Sequence, residues 1–570
     1  MSDEKIIIGS RKSTLAKIQA FNVANKIHQK HPQLNIEFLF TSSVGDDHQN
    51  KDLTNMGTVG VFTKDLHTKL VNKDCDIAVH SWKDLPIDTG VDTFVAGTLN
   101  REDPRDLLLI KHDSLNKSSY NIASSSPRRI FNLEKFPAKY LPNFKSPDGE
   151  KPREFSFSAI RGNILTRVNK VLAKENNFDG IIIAKAAIDR LINIEFLNSF
   201  NDMQFGENHQ NKYQDNIAKI QTEKQELVTA LKKFWLCVLP LEINPPAAGQ
   251  GSLAIELRRT DTATIKIIES INAQDCFSDV NIERENFKQF GGGCFQKIGC
   301  YFNSGSWCAN SNNVSKEKLG IKITKGLDID NKPINIYHSQ KLVNRSTIKL
   351  SNPWPKASKQ YPKLFKRVEI DKSETSEKLQ AEDNIIVSRI NSLPDWLINQ
   401  LDENPQATWI WSAGNKTWQK LAAKGVWVNG SFESLGEDIN KLPNNLLHEL
   451  KLTGDKQNLI WKKLTHSSNQ ISLNKNTPTN SPAIKMVATY NLDKISNPIS
   501  NETAKEMKNA DCIFWMSGSG FEYALQLIPE LKTKHHACGP GNTYQTIINH
   551  IPADNIHLFL NFDDWQASIT

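Results

Sequence analysis

The sequence is poor in several features, and each shortage narrows what the chain is. Its eight cysteines, at positions 75, 237, 276, 294, 300, 308, 512 and 538 of 570 residues, include no C-x-x-C pair. Thiols so sparse and irregular read as reduced, and a chain of this length buries a core without disulfide staples. No stretch approaches the ~20 apolar residues of a membrane helix. The N-terminus opens acidic and reaches only Ile6, Ile7 and Ile8 before Gly9, whereas a secretory signal needs a basic start and a longer apolar run. A cytoplasmic protein without a membrane partner is therefore expected. Charge is nearly balanced, with 70 Lys plus Arg against 63 Asp plus Glu, or +7. That surplus is too small to argue for a nucleic-acid partner. His535-His536-x-Cys538 lacks a second ligand pair, so no metal site is expected.

What is present is an ordinary globular balance, 38% hydrophobic and 23% charged, at a length that suggests roughly four domains. Residues 5–9 read as a strand, after which Ser13 caps a helix with Leu15, Ile18, Phe21, Ala24 and Ile27 on one face. Residues 35–40 read as another strand. Residues 76–79 and 180–184 look like buried parallel strands ending in polar residues. This alternation indicates an α/β architecture with ligand sites at the carboxyl ends of strands. Residues 137–154 read as a surface insertion, and 198–232 as a polar excursion with one helix around 219–234. Short β-like runs such as 320–324 and 334–338 suggest a smaller α+β unit between 304 and 362. Residues 371–383 are the expected linker, and a second α/β region follows from 385.

Arginines stand beside small residues. Arg11 follows the first strand, Arg128 and Arg129 follow Ser124-Ser125-Ser126, and Arg161 and Arg167 bracket Gly162-Asn163. Guanidinium groups and helix N-termini bind carboxylates, and as a set these arginines suit a ligand bearing many of them. Singly, each reads better as solvated surface charge. Asp84, at a strand end beside Lys83, is placed to steady a cationic intermediate, or forms an ordinary turn salt bridge. Gly291-Gly292-Gly293-Cys294 allows close approach of a bulky group to a nucleophilic or attachment cysteine, or is a tight turn before a buried one.

Seven segments, in order, resemble the porphobilinogen deaminase (hydroxymethylbilane synthase) family. They are Gly9-Ser10-Arg11-Lys12-Ser13, His80-Ser81-Trp82-Lys83-Asp84, Arg101-Glu102-Asp103-Pro104-Arg105-Asp106, Ser125-Ser126-Pro127-Arg128-Arg129, Arg161-Gly162-Asn163, Pro246-Ala247-Ala248-Gly249-Gln250-Gly251 and Gly292-Gly293-Cys294. The resemblance covers residues 1 to about 350. It implies that Cys294 carries a dipyrromethane cofactor through a thioether, and that Asp84 handles protons and stabilises a pyrrole cation as ammonia leaves. Ser13, Lys83, Ser126, Arg128 and Arg129 are implied in holding the cofactor, and Arg11, Arg161, Arg167 and Gln250 in holding substrate. The implied fold is two periplasmic-binding-protein-like lobes plus a small α+β domain with the cofactor loop. Boundaries follow as 1–100 with 252–270, 101–251, and 271–370. One departure is that Asn55 and Val59 occupy lid positions where the family usually carries lysines.

Beyond the linker, residues 385–389, Gly414-Asn415-Lys416-Thr417, Val487-Ala488-Thr489-Tyr490, 513–520 and Cys538-Gly539-Pro540-Gly541-Asn542-Thr543 are similar in order to uroporphyrinogen-III synthase, the next enzyme of tetrapyrrole synthesis. The resemblance implies a two-lobe α/β region over 384–570, with a short first lobe. It places Tyr490 near the substrate and Thr543 near a carboxylate-binding turn; read from the residues alone, Thr417 and Thr543 each follow Gly at a helix start, a modest anion site or simply two unrelated helix caps. The expectation is a fusion that makes hydroxymethylbilane from porphobilinogen and then cyclises it, with neighbouring pathway enzymes as possible partners. Its rivals are an active deaminase with a non-catalytic C-terminal docking domain, and a non-catalytic bilobal ligand-binding protein. On the fusion reading, deleting 384–570 leaves bilane formation intact.

Overall fold

The computed structural model describes residues 5–41, 64–88, 90–142, 153–201, 210–292, 296–304, 319–341, 352–371, 379–380, 383–403, 407–435, 441–451, 459–467 and 483–569. Cys294 and the lid positions Asn55 and Val59 lie outside them, as does part of the expected linker.

Two five-stranded sheets with the same topology form the N-terminal half. In the first, the order is Asn35–Thr41, Lys5–Arg11, Ile77–Ser81, Leu253–Arg258, Thr93–Gly97; in the second it is Glu154–Ser158, Ser119–Ala123, Gly180–Ala184, Asp106–Lys111, Phe234–Val238. In each, three parallel strands are followed by an antiparallel one that the chain delivers from the other lobe. The backbone therefore crosses between lobes twice, through 98–105 and 239–252. The apolar stripe after Ser13 becomes the helix Thr14–Lys30. Its Phe21 is fully buried, edge-on to Phe38 at 4.8 Å and to Phe200 at 5.2 Å. Full burial of such a side chain is worth ~1.5–3 kcal/mol.

The polar excursion holds one longer helix than its apolar residues suggested, Gln210–Leu231, and the chain is already in strand by Phe234. Tyr213, Ile220, Leu227 and Leu231 are its buried stripe, and the polar residues between them masked the period. This helix touches three bodies. Lys17 Nζ donates to Asn216 Oδ1 at 2.6 Å, the helix packs on Ile164–Leu172, and Lys224 pairs with Glu449 at 2.6 Å.

A third unit follows, in which helix Gln274–Gln289 lies on the antiparallel sheet Ile298–Asn303, Leu319–Leu327, Pro333–Lys341. The C-terminal half has two further sheets. One is six-stranded, in the order Phe365–Glu369, Ala483–Lys494, Ile460–His466, Asn384–Val387, Trp409–Ser412, Gly430–Ser431. The other is parallel, in the order Pro353–Trp354, Cys512–Trp515, His535–Cys538, Ile556–Leu558. Strands Pro353–Trp354 and Phe365–Glu369, placed by sequence with the cofactor-loop unit, thus pair with the C-terminal sheets. Four of five residues in Phe365–Glu369 are exposed, so no buried pattern announced it.

The halves are fused by packing. The expected surface insertion begins with helix Phe136–Tyr140, which buries Phe136, Pro137 and Tyr140: Tyr140 stands edge-on to Trp418 at 5.4 Å, and Trp418 Nε1 donates to the Tyr140 carbonyl at 2.9 Å. Asn429 stitches the edges of two sheets. Its backbone N–H and side-chain Oδ1 pair with Ile410, its carbonyl accepts from Val238 N, and its Nδ2 donates to the Leu236 carbonyl, all at 2.8–2.9 Å. Among the described residues, no helix is long and apolar enough to cross a membrane.

Candidate active site

Of the residues singled out by sequence, Lys83, Asp84, Arg128, Arg129 and Arg167 lie within electrostatic reach of one another where the two lobes meet. Strand Lys5–Arg11 ends at Arg11, and Ser13 then opens the helix Thr14–Lys30 without using its hydroxyl as a cap. Strand Ile77–Ser81 runs into the single turn Trp82–Asp84, so Lys83 and Asp84 stand at a carboxyl end, where α/β folds place their ligands. Trp82 is buried and anchors the turn. Asp84 is exposed and close enough to Lys83 and Arg167 to act on both electrostatically.

Across the cleft, Ser126 precedes the helix Pro127–Leu133 that carries Arg128 and Arg129. Asn163 Oδ1 caps the helix Ile164–Leu172 by accepting from Thr166 N at 2.8 Å, which places Arg161 before that helix and Arg167 in its first turn. Arg167 Nε donates to the Gly162 carbonyl at 2.6 Å.

A residue whose role the sequence left unread organises this face. Asp106, fully buried, accepts from Arg128 at 2.8 Å, from Arg129 at 2.6 and 3.0 Å, from Asn244 at 2.8 Å and from Gln250 at 2.9 Å. These donors hold its carboxyl well below the usual range, against burial, with the arginines the largest favourable influence. Burial in turn lowers the pKa of Arg128, because a single carboxylate serves two guanidiniums. Arg128 also donates to Asn244 Oδ1 and the Pro245 carbonyl. It is turned inward onto these acceptors. Arg129 places its third guanidinium nitrogen on the Ile182 carbonyl at 3.1 Å.

Gln250 joins the two sides. Its Nε2 reaches the Pro104 carbonyl at 2.6 Å as well as Asp106, while its Oε1 accepts from Lys83 Nζ at 3.2 Å. This amide ties the two sides together. Gly251 beside it has φ +91°, and a Cβ there would run into the Glu102 carbonyl; only glycine suits that position. Burial pushes the Lys83 ammonium down to about 8, with Asp84 opposing. Arg101 clamps Glu283 of the third unit through two bonds at 2.7 and 2.9 Å, and Glu283 also accepts from Gly249 N and Phe302 N. The crossovers are thus riveted to the unit from which the Cys294 loop departs.

Lys83, Arg129 and Arg167 bring positive charge to this face, with the exposed Asp84 among them. Such a donor set fits a dipyrromethane, whose acetate and propionate side chains are all carboxylates. In the C-terminal half, Thr417 Oγ1 donates to the Ser388 carbonyl at 3.5 Å. It lies in the helix Asn415–Ala423 that follows strand Trp409–Ser412 of the sheet holding Tyr490, while Thr543 starts the helix Asn542–Ile548 that follows strand His535–Cys538 of the four-stranded sheet. His536 is committed to Trp515 Nε1 at 2.9 Å and the Leu531 carbonyl at 3.1 Å.

Residues 6–266 match the family model described as porphobilinogen deaminase, dipyromethane cofactor binding domain. A porphobilinogen deaminase of Syntrophomonas wolfei is 31% identical over 291 residues, covering 50% of this chain and 77% of the relative. One from Chlorobium phaeobacteroides is 32% identical over 301 residues, covering 52% and 79%. Among solved structures, a methionine-binding protein covers 50% of this chain and 94% of its own, at 11% identity and a TM-score of 0.24, too low to bear on the fold. The chain belongs to the porphobilinogen deaminase family, and its N-terminal half joins porphobilinogen into hydroxymethylbilane on a dipyrromethane cofactor.

Proposed function

We propose that the chain is bifunctional, a deaminase continuous with a uroporphyrinogen-III synthase. The deaminase is assigned residues 1 to about 350, divided into the lobes 1–100 with 252–270 and 101–251, and the small unit that follows. Its cofactor is tethered through a thioether to Cys294, and when bound it would supply the free pyrrole position to which the first unit is joined. Asp84 faces the positive charge that develops at the pyrrole nitrogen of the incoming porphobilinogen as ammonia departs. The exposure of Asp84 at a carboxyl strand end, with Lys83 and Arg167 beside it, supports that role. Arg11, Ser13, Lys83, Ser126, Arg129, Arg161 and Arg167 hold carboxylate side chains, and Arg128 acts behind them through Asp106.

What supports the synthase reading is that Tyr490 lies on a largely parallel sheet, that Thr417 stands in the first turn of the helix following one of that sheet's strands, and that Thr543 opens a helix following a strand of the second parallel sheet. Positioning a flexible bilane between two such bodies is the physical task that ring inversion requires, and it is worth several kcal/mol. The buried junction at Tyr140, Trp418 and Asn429 favours a second reading, a purely docking role. Product isomers discriminate between the two. The full-length protein supplied with porphobilinogen yields uroporphyrinogen III on the synthase reading; type I product alone removes it.

A further inference from the structure

The C-terminal half carries its own row of cations, remote from the deaminase cleft. Strands Asn384–Val387 and Ile460–His466 run parallel with Val387 opposite Leu464. Arg389 and His466 each lie two residues further on, and His466 stands opposite Tyr490 on the next strand. The outer strand Phe365–Glu369 then pairs antiparallel to it, with Glu369 opposite Tyr490. Four neighbouring strands thus bring Arg389, His466, Tyr490 and Arg367 to one end of the sheet. The Arg367 guanidinium lies over the Tyr490 ring at 6.0 Å, and the His466 ring is 5.9 Å from the same ring.

The charge of this row is lopsided. Arg367 and Arg389 sense each other, and both, with Lys463, act on His466. Glu369 is the acid of the row, and it is exposed on the outermost strand. Arg389 is accessible to solvent, yet enough protein surrounds it for burial to lower its pKa, as for a group lining a crevice. A guanidinium does not shed its proton to relieve a like-charged neighbour. Two of them about one aromatic ring are stabilised by an anion with carboxylates spaced to reach both.

We propose that Arg367 and Arg389, with Tyr490 between them, form a binding site for a polycarboxylate tetrapyrrole. This rests on the reading of the C-terminal half as a unit that receives the bilane, and it names the side chains that would grip it. Because both arginines are exposed, their replacement leaves the core intact.

The test is a fluorescence titration of the full-length protein with uroporphyrin I, an octacarboxylate that cannot react. The variant Arg367→Gln/Arg389→Gln, melting with the parent protein, is expected to bind at least 10-fold more weakly, and Arg367→Lys/Arg389→Lys to recover most of the loss. Equal affinity in the parent and the Gln variant overturns the site. Arginine-dependent binding in a protein that makes only type I product removes the synthase reading and leaves the site standing. Type III product with no arginine dependence does the reverse.

Discussion

Arg105 of the deaminase half lies over the indole of Trp411 in the C-terminal half, 5.4 Å from guanidinium carbon to ring centroid. The same guanidinium holds Asp103 and donates to the carbonyls of Ser431 at 3.2 Å and Lys441 at 2.9 Å. Arg105 immediately precedes Asp106, the hub of the catalytic face, so the C-terminal half braces the crossover on which that face is built.

Removing the C-terminal half is therefore expected to damage the deaminase, contrary to what the sequence alone suggested. Truncation after residue 350 strips the cover from Trp235, Cys237 and Tyr140 and leaves Arg105 without two acceptors. Trp411→Ala is the milder version. Trp411 is fully buried, and such truncations cost roughly 3–5 kcal/mol. The expected outcome is a lowered melting temperature in which both halves take part, with bilane formation by the 1–350 fragment at least ~10-fold below that of the full chain. A fragment that melts and turns over like the full chain refutes the brace.

Asp106→Asn should be among the most damaging single changes in the deaminase half. It leaves two buried guanidiniums without their counter-charge, a loss of roughly 3–5 kcal/mol. The pH dependence follows from the lowered pKa. The carboxylate contributes in full above its ordinary 3.8, and the contribution drains away as pH falls through that value toward the lower folded one. Denaturant midpoints at pH 7 and pH 3 check both points: the variant is weaker at pH 7, and the gap narrows at pH 3.

Asp84→Asn separates chemistry from binding. The amide keeps the shape and removes the negative charge, and losses of this kind run at ~10²–10³ in rate when the charge acts in the transition state. Turnover should fall by that factor while mass spectrometry still finds the dipyrromethane attached and KM stays within about threefold.

Lys83 predicts an alkaline limb. Its ammonium titrates near 8, so its pull on a carboxylate is complete below that value and lost above it. KM for porphobilinogen should rise between pH 7.5 and 9.5, and Lys83→Arg, which keeps its charge throughout, should flatten that rise.

Local sequence carried much of this architecture. Gly180–Ala184 stood out because all five residues are buried, and Thr14–Lys30 because its apolar residues recur at helical spacing. The reading failed where pairing is non-local. Phe365–Glu369 is a strand only because Ala483–Lys494 lies beside it, more than a hundred residues away. Asp106 sat inside a quoted motif, yet a carboxylate at the start of an apolar run does not disclose that four side chains from two distant segments converge on it. Tyr140 and Trp418 belong to elements 278 positions apart, and no periodicity in either announces the other.

The double crossing of the backbone also fixes an order of birth. Thr93–Gly97 has its described sheet neighbour only in Leu253–Arg258, so the first lobe waits, one strand short, until the ribosome has passed residue 258. The second lobe, though later in the chain, has its last strand by Val238. Pro353–Trp354 waits longer still, for Cys512–Trp515. As the chain emerges its sheets close from the inside out, and a nascent chain that has emerged to between residues 238 and 253 holds a complete second sheet beside an open first one.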